Sequence, residues 1–388
     1  MKPARKSEIL VTSFRKFLPF ISLIVICLIL SLLRPRFLTW ENISNIIRQH
    51  AQIIIMAIGM TFVIVSQGID LSVGSMMALA GVCGTLLLTI GVPIVPAIVG
   101  GCFAGLICGL LNGLFISRLK ISPFIATLGT MQVFRGLVLQ ITKGLPVYRD
   151  IPPAFDRLRN GNLSDLVRLG LFDSIPIVVI AILLIAALAM LILRRTRAGK
   201  YLFADRIPIA LILALLIATV AIMMLRLRRF MPIPLILILL VAVLANLMLR
   251  YTRLGRYSYA IGSNVEAAHH SGIRVGAYIV LIYAVCGFLA GFAGMIHFSS
   301  LGSGVPTEGV GYELKVIAAV VIGGGSLMGG EGTVSGTIAG ALFMAILLNA
   351  CVHLQISDFV QQIVIGGLLV LAVALDQRLK RKMEGGGL

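Results

Sequence analysis

Long apolar runs, each of about 17–25 residues, follow one another along almost the whole chain. Hydrophobic residues make up 59% of the 388 residues and charged residues only 12%, whereas soluble proteins average roughly 25% charged residues. Inside a bilayer every backbone N–H and C=O must find its partner within the protein, so runs of this length fold as helices. The sequence therefore predicts an all-α, polytopic helical membrane protein that forms one membrane-spanning domain over residues 1–388.

The basic residues orient the predicted spans. The first apolar run, Phe17–Leu33, follows several lysines and arginines and precedes no small-residue cleavage site, so we expect a retained span with a cytoplasmic N-terminus. The basic stretch 378–382 predicts a cytoplasmic C-terminus, whereas arginines at 226–229 fall outside, against the rule. About twelve spans satisfy this order. We place them near 17–33, 48–66, 72–90, 94–116, 121–141, 176–193, 207–225, 231–249, 277–297, 313–330, 333–353 and 361–376.

Charge and cysteine content narrow the classes of function. The net charge is +18, but most of the 33 Lys and Arg residues lie in predicted inner segments. This distribution is typical of topology signals facing anionic membrane lipid, and it argues against a nucleic-acid partner. The six cysteines lie in apolar spans without a CxxC pair, so we expect reduced packing residues and no metal site.

One polar segment, Arg250–Arg274, separates two long apolar runs on the predicted cytoplasmic side, and we call it the docking segment. Asn264 can cap a helix, Glu266 suits a first helical turn, and Gly272 can end the helix. We therefore expect a short helix outside the membrane that can receive mechanical work from a cytoplasmic partner.

The apolar pattern inside the spans is broken at four places: Gln67–Ser75, Ser122–Thr130, Glu313–Lys315 and Gly323–Thr333. In Gln67–Ser75, Gly68 permits a bend and Asp70 can cap the next helix, which we favour over an ion or proton site at Asp70. Ser122–Thr130, followed by Arg135, suits a helix that lines a pathway or contacts another subunit.

The glycine-rich stretch Gly323–Thr333 lacks the GxxxxGK[ST] pattern of a phosphate-binding loop, so it indicates a helix reversal. No HExxH, no GxSxG and no paired carboxylates at hydrolytic spacing occur, and the five histidines are scattered. We therefore predict no catalytic residue, no metal ligand and no cofactor. A membrane enzyme is the weaker alternative.

Two longer segments stand out from the regular succession of spans and short connections. The longest predicted outer segment, 142–175, is either a contact surface for an outer partner or a solvated connector. Leu193–Tyr201 is echoed by Leu249–Tyr257, and the stretch between them holds two spans. This repeat indicates that 207–249 is an inserted helix pair, without which the chain would have about ten spans.

Four ordered motifs resemble those of a known family: SQGIDLSVGSMMAL, SPFIATLGTM, GRYSYAIGSNVEAAHHSGIRV and GGGSLMGGEGTVSGTIAGAL. They are similar to permease subunits of bacterial ATP-binding-cassette (ABC) importers of the ribose/xylose/galactose type. In that family the EAA motif reads EAA, three residues, then Gly, which the stretch 266–272 matches. The resemblance covers roughly residues 40–145 and 246–377, and the extra helix pair looks like that of the longer xylose-type permeases.

The resemblance implies a permease homodimer in the bacterial inner membrane, with a cytoplasmic ATP-binding subunit and a periplasmic sugar-binding protein as partners. ATP would be bound and hydrolysed by the partner subunit, so this chain would be neither an enzyme nor a cofactor protein. Residues 250–276 would form the cytoplasmic coupling loop. Its coupling residues would be Asn264, Glu266, Ala267, Ala268 and Gly272.

The resemblance further implies a monosaccharide as substrate, with a pentose, and first of all xylose, as our expectation. A neutral sugar needs small residues, hydroxyls and amides along its path rather than fixed charges. Another ABC solute such as a branched-chain amino acid stays open. So does an ion-coupled secondary transporter, for which Asp70 is the candidate coupling group. The path candidates are Asp70, Ser72, Ser75, Asn112, Thr127, Thr130 and Asn349.

Overall fold

A computed structural model describes residues 20–32, 37–162, 165 and 231–384. Over these residues the chain is helical, and backbone pairing outside the helices is limited to isolated bridges such as that between Val147 and Gly304. The long helices are α1 (Phe20–Leu32), α2 (Trp40–Val65), α3 (Val73–Thr89), α4 (Ile94–Arg118), α5 (Pro123–Thr142), α7 (Ile233–Tyr251), α10 (Val275–Leu301), α12 (Val334–His353) and α13 (Asp358–Glu384). The shorter ones are a 3-10 turn (Pro153–Asp156), α6 (Arg157–Asn160), α8 (Arg253–Ser263), α9 (Val265–His270) and α11 (Tyr312–Ile322).

Six of the described helices, α2, α4, α5, α7, α10 and α12, are long and apolar enough to cross a membrane. Large apolar side chains stay exposed on their outer faces, for example Phe103 on α4 and Leu240 on α7. Exposed apolar surface of this extent suits hydrocarbon rather than water. The prediction of a polytopic helical membrane protein is confirmed. The predicted spans 176–193 and 207–225 lie outside the described residues.

The centre of the bundle is α10, which packs against α2, α3 and α4. Its contact with α4 is made by glycines, since a Cβ at Gly105 would overlap the carbonyl oxygen of Gly287 and one at Gly109 would overlap that of Tyr283. Small residues allow two helix backbones to approach closely, which compensates for the weak hydrophobic drive between helices in lipid. The four helices therefore form a tight core.

Two connections interrupt this core. The first separates α2 from α3, where Gln67 and Gly68 turn the chain and the Gly68 N–H donates to the Val63 carbonyl at 2.8 Å. The second is the connection 302–311 between α10 and α11. Because Gly309 packs against Gly74 in the first turn of α3, this connection reaches the start of α3 rather than staying at the end of α10.

The predicted span 313–330 is wrong in its length. Its helix, α11, ends at Ile322 after 11 residues, which at 1.5 Å per residue covers only about 16 Å. The cause is the run Gly323–Gly325, where the Gly323 and Gly324 N–H groups close the last turn and Gly324 adopts φ 86°. Hydropathy alone reads this stretch as apolar, whereas the helix reversal predicted at Gly323–Thr333 agrees with the structure, where α11 ends before this stretch and α12 begins after it.

The chain divides into two compact units. One consists of Met1–Arg159 with Pro234–Leu388 and the other of Asn160–Ile233. The first unit contains every helix discussed below. Most of the second unit lies outside the described residues, as do residues 207–230 of the predicted insertion, whose remaining part is α7.

Candidate functional site

The docking segment forms two helices, whereas the sequence predicted one. The first, α8, is capped by Thr252, whose Oγ1 accepts a hydrogen bond from the Gly255 N–H at 3.4 Å. Asn264 then leaves the helical conformation and caps α9, where its Oδ1 accepts from the Ala267 N–H at 2.9 Å. Gly272 follows the end of α9 with φ 79°, a left-handed conformation that glycine adopts without strain.

The second of these helices, α9, presents most of its surface to solvent. Asn264, Glu266 and Ala267 are exposed, whereas Ala268 is buried and fixes the helix to the rest of the protein. Beside α9 lies an open cavity of about 440 Å³ lined by Val265, Glu266, His269, His270 and Val275. Of the predicted coupling residues, Asn264, Glu266 and Ala267 are accessible at the start of this short helix, Ala268 is buried beneath it, and Gly272 follows its end.

The helix α8, which precedes α9, packs directly against backbone atoms at the end of α2. A Cβ at Gly262 would overlap the carbonyl oxygen of Val65, at the end of α2, and the same oxygen accepts a hydrogen bond from the Gly330 N–H at 2.9 Å. The Tyr259 hydroxyl donates to the Gly332 carbonyl at 2.6 Å. The docking segment, the end of α2 and the glycine-rich stretch therefore meet at one place, which the sequence analysis did not foresee.

A buried polar cluster follows at the break between α2 and α3. The Asp70 side chain is fully buried, and its Oδ1 accepts from the Ser72 N–H at 2.9 Å and from the Ser72 hydroxyl at 2.6 Å. Asn112 on α4 donates from its Nδ2 to the Ser72 hydroxyl at 2.7 Å and lies 3.5 Å from Asp70 Oδ1. Asp70 therefore ties the start of α3 to α4, but the N-cap residue of α3 is Ser72, so the expectation that Asp70 itself caps this helix is wrong.

Two further helices hold the same break. The Thr127 hydroxyl, at the start of α5, accepts from the Leu71 N–H at 3.1 Å. The Tyr283 hydroxyl on α10 donates to the Ile69 carbonyl at 3.1 Å. Asp70 Oδ2 and Asn112 Oδ1 are buried and have no hydrogen-bond partner in the described part of the chain. The break is thus anchored to α4, α5 and α10.

The remaining path candidates divide into two groups. Ser75 and Thr130 lie near the cluster, and their hydroxyls donate to the backbone carbonyls of Ser72 at 2.8 Å and of Thr127 at 3.3 Å. Asn349 lies elsewhere, since its side-chain amide pairs with that of Asn42, in the first turn of α2, at 3.4 Å. Hydrogen bonds at the break therefore involve four of the seven candidates, namely Asp70, Ser72, Asn112 and Thr127, whereas Ser75 and Thr130 lie one turn further along α3 and α5.

A group of charged residues around the connection 302–311 was not singled out as a site by sequence analysis. His297 Nε2 lies 2.9 Å from Glu308 Oε2, and the Arg135 guanidinium donates to the Pro306 carbonyl. The hydrogen bond with His297 holds the pKa of Glu308 below its usual value, although burial acts in the opposite direction. The sequence does show charged residues near the ends of the predicted spans. It does not show which of them pair, because that depends on how the connection 302–311 folds back.

Comparison with known proteins agrees with this architecture. The family model described as "Branched-chain amino acid transport system / permease component" matches residues 42–208 and 208–373. The Ribose import permease protein RbsC of Haemophilus influenzae is 36% identical, over 94% of this chain and 93% of the relative. The Xylose transport system permease protein XylH of the same species is 37% identical, over 89% of this chain and 92% of the relative.

A third relative, the D-allose transport system permease protein AlsC of Escherichia coli, is 30% identical over 93% of this chain and 91% of the relative. The comparison with solved structures finds no significant match. Because the family model and the relatives each cover most of the sequence, the chain belongs to the branched-chain amino acid transport system/permease component family: it is a multi-pass permease of the inner membrane and not an enzyme.

Proposed function

We propose that this chain is the transmembrane subunit of an ATP-driven importer that moves a monosaccharide, and more narrowly a pentose, into the cytoplasm. The observation that carries the proposal is α9, a capped and exposed helix whose residues match the EAA motif. The sequence contains no GxxxxGK[ST] pattern, so the chain depends on another subunit for ATP hydrolysis. Support for the substrate class comes from relatives named as ribose, xylose and allose permeases.

In this proposal α9 inserts into a groove of a cytoplasmic ATP-binding subunit. Ala267 allows close approach, Glu266 offers a carboxylate at the rim, and the left-handed turn at Gly272 leads into α10. Two copies of the permease surround the path, and a periplasmic sugar-binding protein delivers the substrate from outside. Closure of the ATPase dimer moves α9, and the permease alternates between outward and inward access.

The buried polar cluster supports a conduit for a neutral solute. Hydroxyl and amide groups predominate among its members, and the carboxylate of Asp70 is occupied on one oxygen by Ser72. Apart from the Asp70 carboxylate, the cluster offers a sugar neutral groups with which it can exchange hydrogen bonds. The ribose and xylose relatives are similar to the chain to nearly the same degree, so identity favours a pentose without separating these two sugars.

A branched-chain amino acid is the second candidate, and the description of the family favours it. A zwitterion would need charged partners, and the charged groups near the connection 302–311 are the candidates. However, Glu308 already binds His297, and Arg135 already binds the Pro306 carbonyl. The monosaccharide proposal therefore has the stronger support.

The test uses proteoliposomes that contain the permease with its ATP-binding subunit, supplied with the sugar-binding protein. We expect uptake of labelled ribose or xylose that requires hydrolysable ATP and continues when a protonophore removes the proton gradient. Competition by unlabelled ribose, xylose, allose and leucine identifies the substrate. Uptake that persists without ATP and stops with the protonophore would contradict the proposal, and competition by leucine alone would favour the second candidate.

A further inference from the structure

Two routes lead from α9 into the membrane. One continues along the chain through Gly272 into α10. At Gly272 an added Cβ would meet no atom within 4 Å, and the left-handed turn is not braced by packing. The other runs backwards through Asn264 into α8. Here Asn264 belongs to both helices, because its N–H donates to the Ala260 carbonyl at 3.1 Å while its side chain caps α9.

The second route ends in a contact between backbone atoms, with no side chain between them. Gly262 lies so close to the end of α2 that a Cβ would overlap the Val65 carbonyl oxygen and approach the Gly330 nitrogen to 2.7 Å. On the opposite side, a Cβ at Gly329 would meet the Gly262 carbonyl oxygen at 2.6 Å. Backbone pressed on backbone transmits displacement directly, because no rotatable side chain lies between the parts.

Hydrogen bonds close the same contact from two sides. The Gly330 N–H donates to the Val65 carbonyl at 2.9 Å, and the Tyr259 hydroxyl donates to the Gly332 carbonyl at 2.6 Å. We call Tyr259, Gly262, Val65 and the stretch 329–332 the glycine junction. It joins α8, the last turn of α2 and the connection between α11 and α12 into one body.

The glycine junction lies next to the break between α2 and α3. Val65 is the last residue of α2, and the chain turns at Gln67 and Gly68 directly afterwards. Ile69 and Asp70 then hold the hydrogen bonds from α10 and α4. Any displacement of Val65 therefore acts on the point where the bundle helices are tied together.

We propose that the glycine junction carries the movement of α9 into the break between α2 and α3, and that it does so as a rigid unit. This inference rests on the proposed function, since it names the positioning residues through which an external ATPase would act. The covalent link from α9 to α10 plays the lesser part. Gly262 is then a positioning residue that touches neither ATP nor substrate.

The first test replaces Gly262 by alanine, with Gly276→Ala as matched control. Gly276 lies in the first turn of α10, on the other route, and a Cβ there would have its nearest neighbour at an ordinary 3.5 Å. In the reconstituted complex we expect G262A to keep the ATP-binding subunit and basal ATP hydrolysis while pentose uptake per ATP falls roughly tenfold. G276A should stay within about twofold of the unmodified chain.

Unchanged uptake per ATP in G262A, or an equal loss in G276A, would overturn the inference. A complex that shows no ATP-dependent uptake before any substitution contradicts the proposed function instead, so the two failures are distinguishable.

Because G262A can fail to assemble, a second measurement uses a reversible disulfide across the glycine junction. It pairs Ser263→Cys with Gly330→Cys, since a Cβ at Gly330 would lie 3.4 Å from the Ser263 Cα and 2.8 Å from its Oγ.

A disulfide between these two cysteines should not impair transport if the glycine junction moves as a rigid unit. We expect the oxidised double variant to transport ribose or xylose at the rate of the same protein after reduction, with each single cysteine variant as control. An oxidised protein that hydrolyses ATP but transports only after reduction would show that the junction opens during the cycle, which contradicts the inference.

Discussion

At the scale of single residues, the burial of Asp70 gives the sharpest expectation. Its carboxylate accepts from the Ser72 N–H and hydroxyl, and Asn112 joins the same group. A buried donor that loses its acceptor costs about 1–3 kcal/mol. A structural role of Asp70 can therefore be distinguished from ion coupling by comparing a substitution that removes its hydrogen bonds with one that removes only its charge.

We expect Asp70→Leu to lower the free energy of unfolding by about 2–3 kcal/mol, because the Ser72 donors lose their acceptor. Asp70→Asn keeps an acceptor and adds an N–H₂ group near the unpartnered Asn112 Oδ1, so it should cost less than about 1 kcal/mol and keep uptake. Thermal unfolding in nanodiscs and uptake assays measure both. A stable Asp70→Asn protein without uptake would favour an ion or proton site.

Gly272 supplies the second residue-scale prediction. Gly272→Asp should insert into the membrane normally and abolish uptake, because a charged side chain would keep α9 from its groove. Gly272→Asn is the matched control, since asparagine tolerates the left-handed conformation and has no charge. Uptake and retention of the ATP-binding subunit by a Gly272→Asp permease would contradict the assigned role of the docking segment.

At the scale of elements, α9 depends on its cap. A helix of 6 residues has little stability of its own, and Asn264 supplies the acceptor for the Ala267 N–H. Asn264→Ala should weaken binding of the ATP-binding subunit roughly fivefold, which corresponds to about 1 kcal/mol for a lost cap. Asn264→Asp keeps an acceptor and should bind nearly as well; equal weakening by both variants would point to a direct contact of the amide.

The elements also show what sequence can predict. The runs predicted at 94–116 and 277–297 became α4 and α10 with bounds shifted by a few residues, because a long apolar run in lipid has few alternatives to a helix. Caps such as Asn264 are local and were equally readable. The length of α11 was mispredicted because the span was placed by hydropathy, although the glycine-rich stretch had indicated a helix reversal at the place where α11 ends.

The candidate site was predictable only in part, because contacts between distant helices are not visible in the sequence. Thr127 and Asn112 were recognisable as polar residues in spans, but the donation of the Tyr283 hydroxyl to Ile69 depends on the packing of α10 against the break. Asn349 was grouped with them by residue type, although its partner is Asn42. Composition selects the members of a polar cluster poorly when distant helices decide which of them meet.

At the scale of the whole molecule, the proposed homodimer is the feature most open to measurement. Native mass spectrometry of the permease released from nanodiscs should give twice the 41.6 kDa of one chain. Dilution at constant lipid-to-protein ratio is the control, because a stable assembly keeps its mass. A mass of one chain in the transport-competent complex would exclude a path shared between two copies.

The shortness of α11 has a consequence for how the protein is made. A segment of 11 helical residues between two irregular connections exposes backbone that lipid cannot satisfy, so it is a poor substrate for independent insertion. Of its packing partners, α2 and α3 precede it in the chain and leave the ribosome earlier, whereas α12 and α13 follow it. Residues 302–333 therefore reach their place only after helices on both sides of them in the chain have been made.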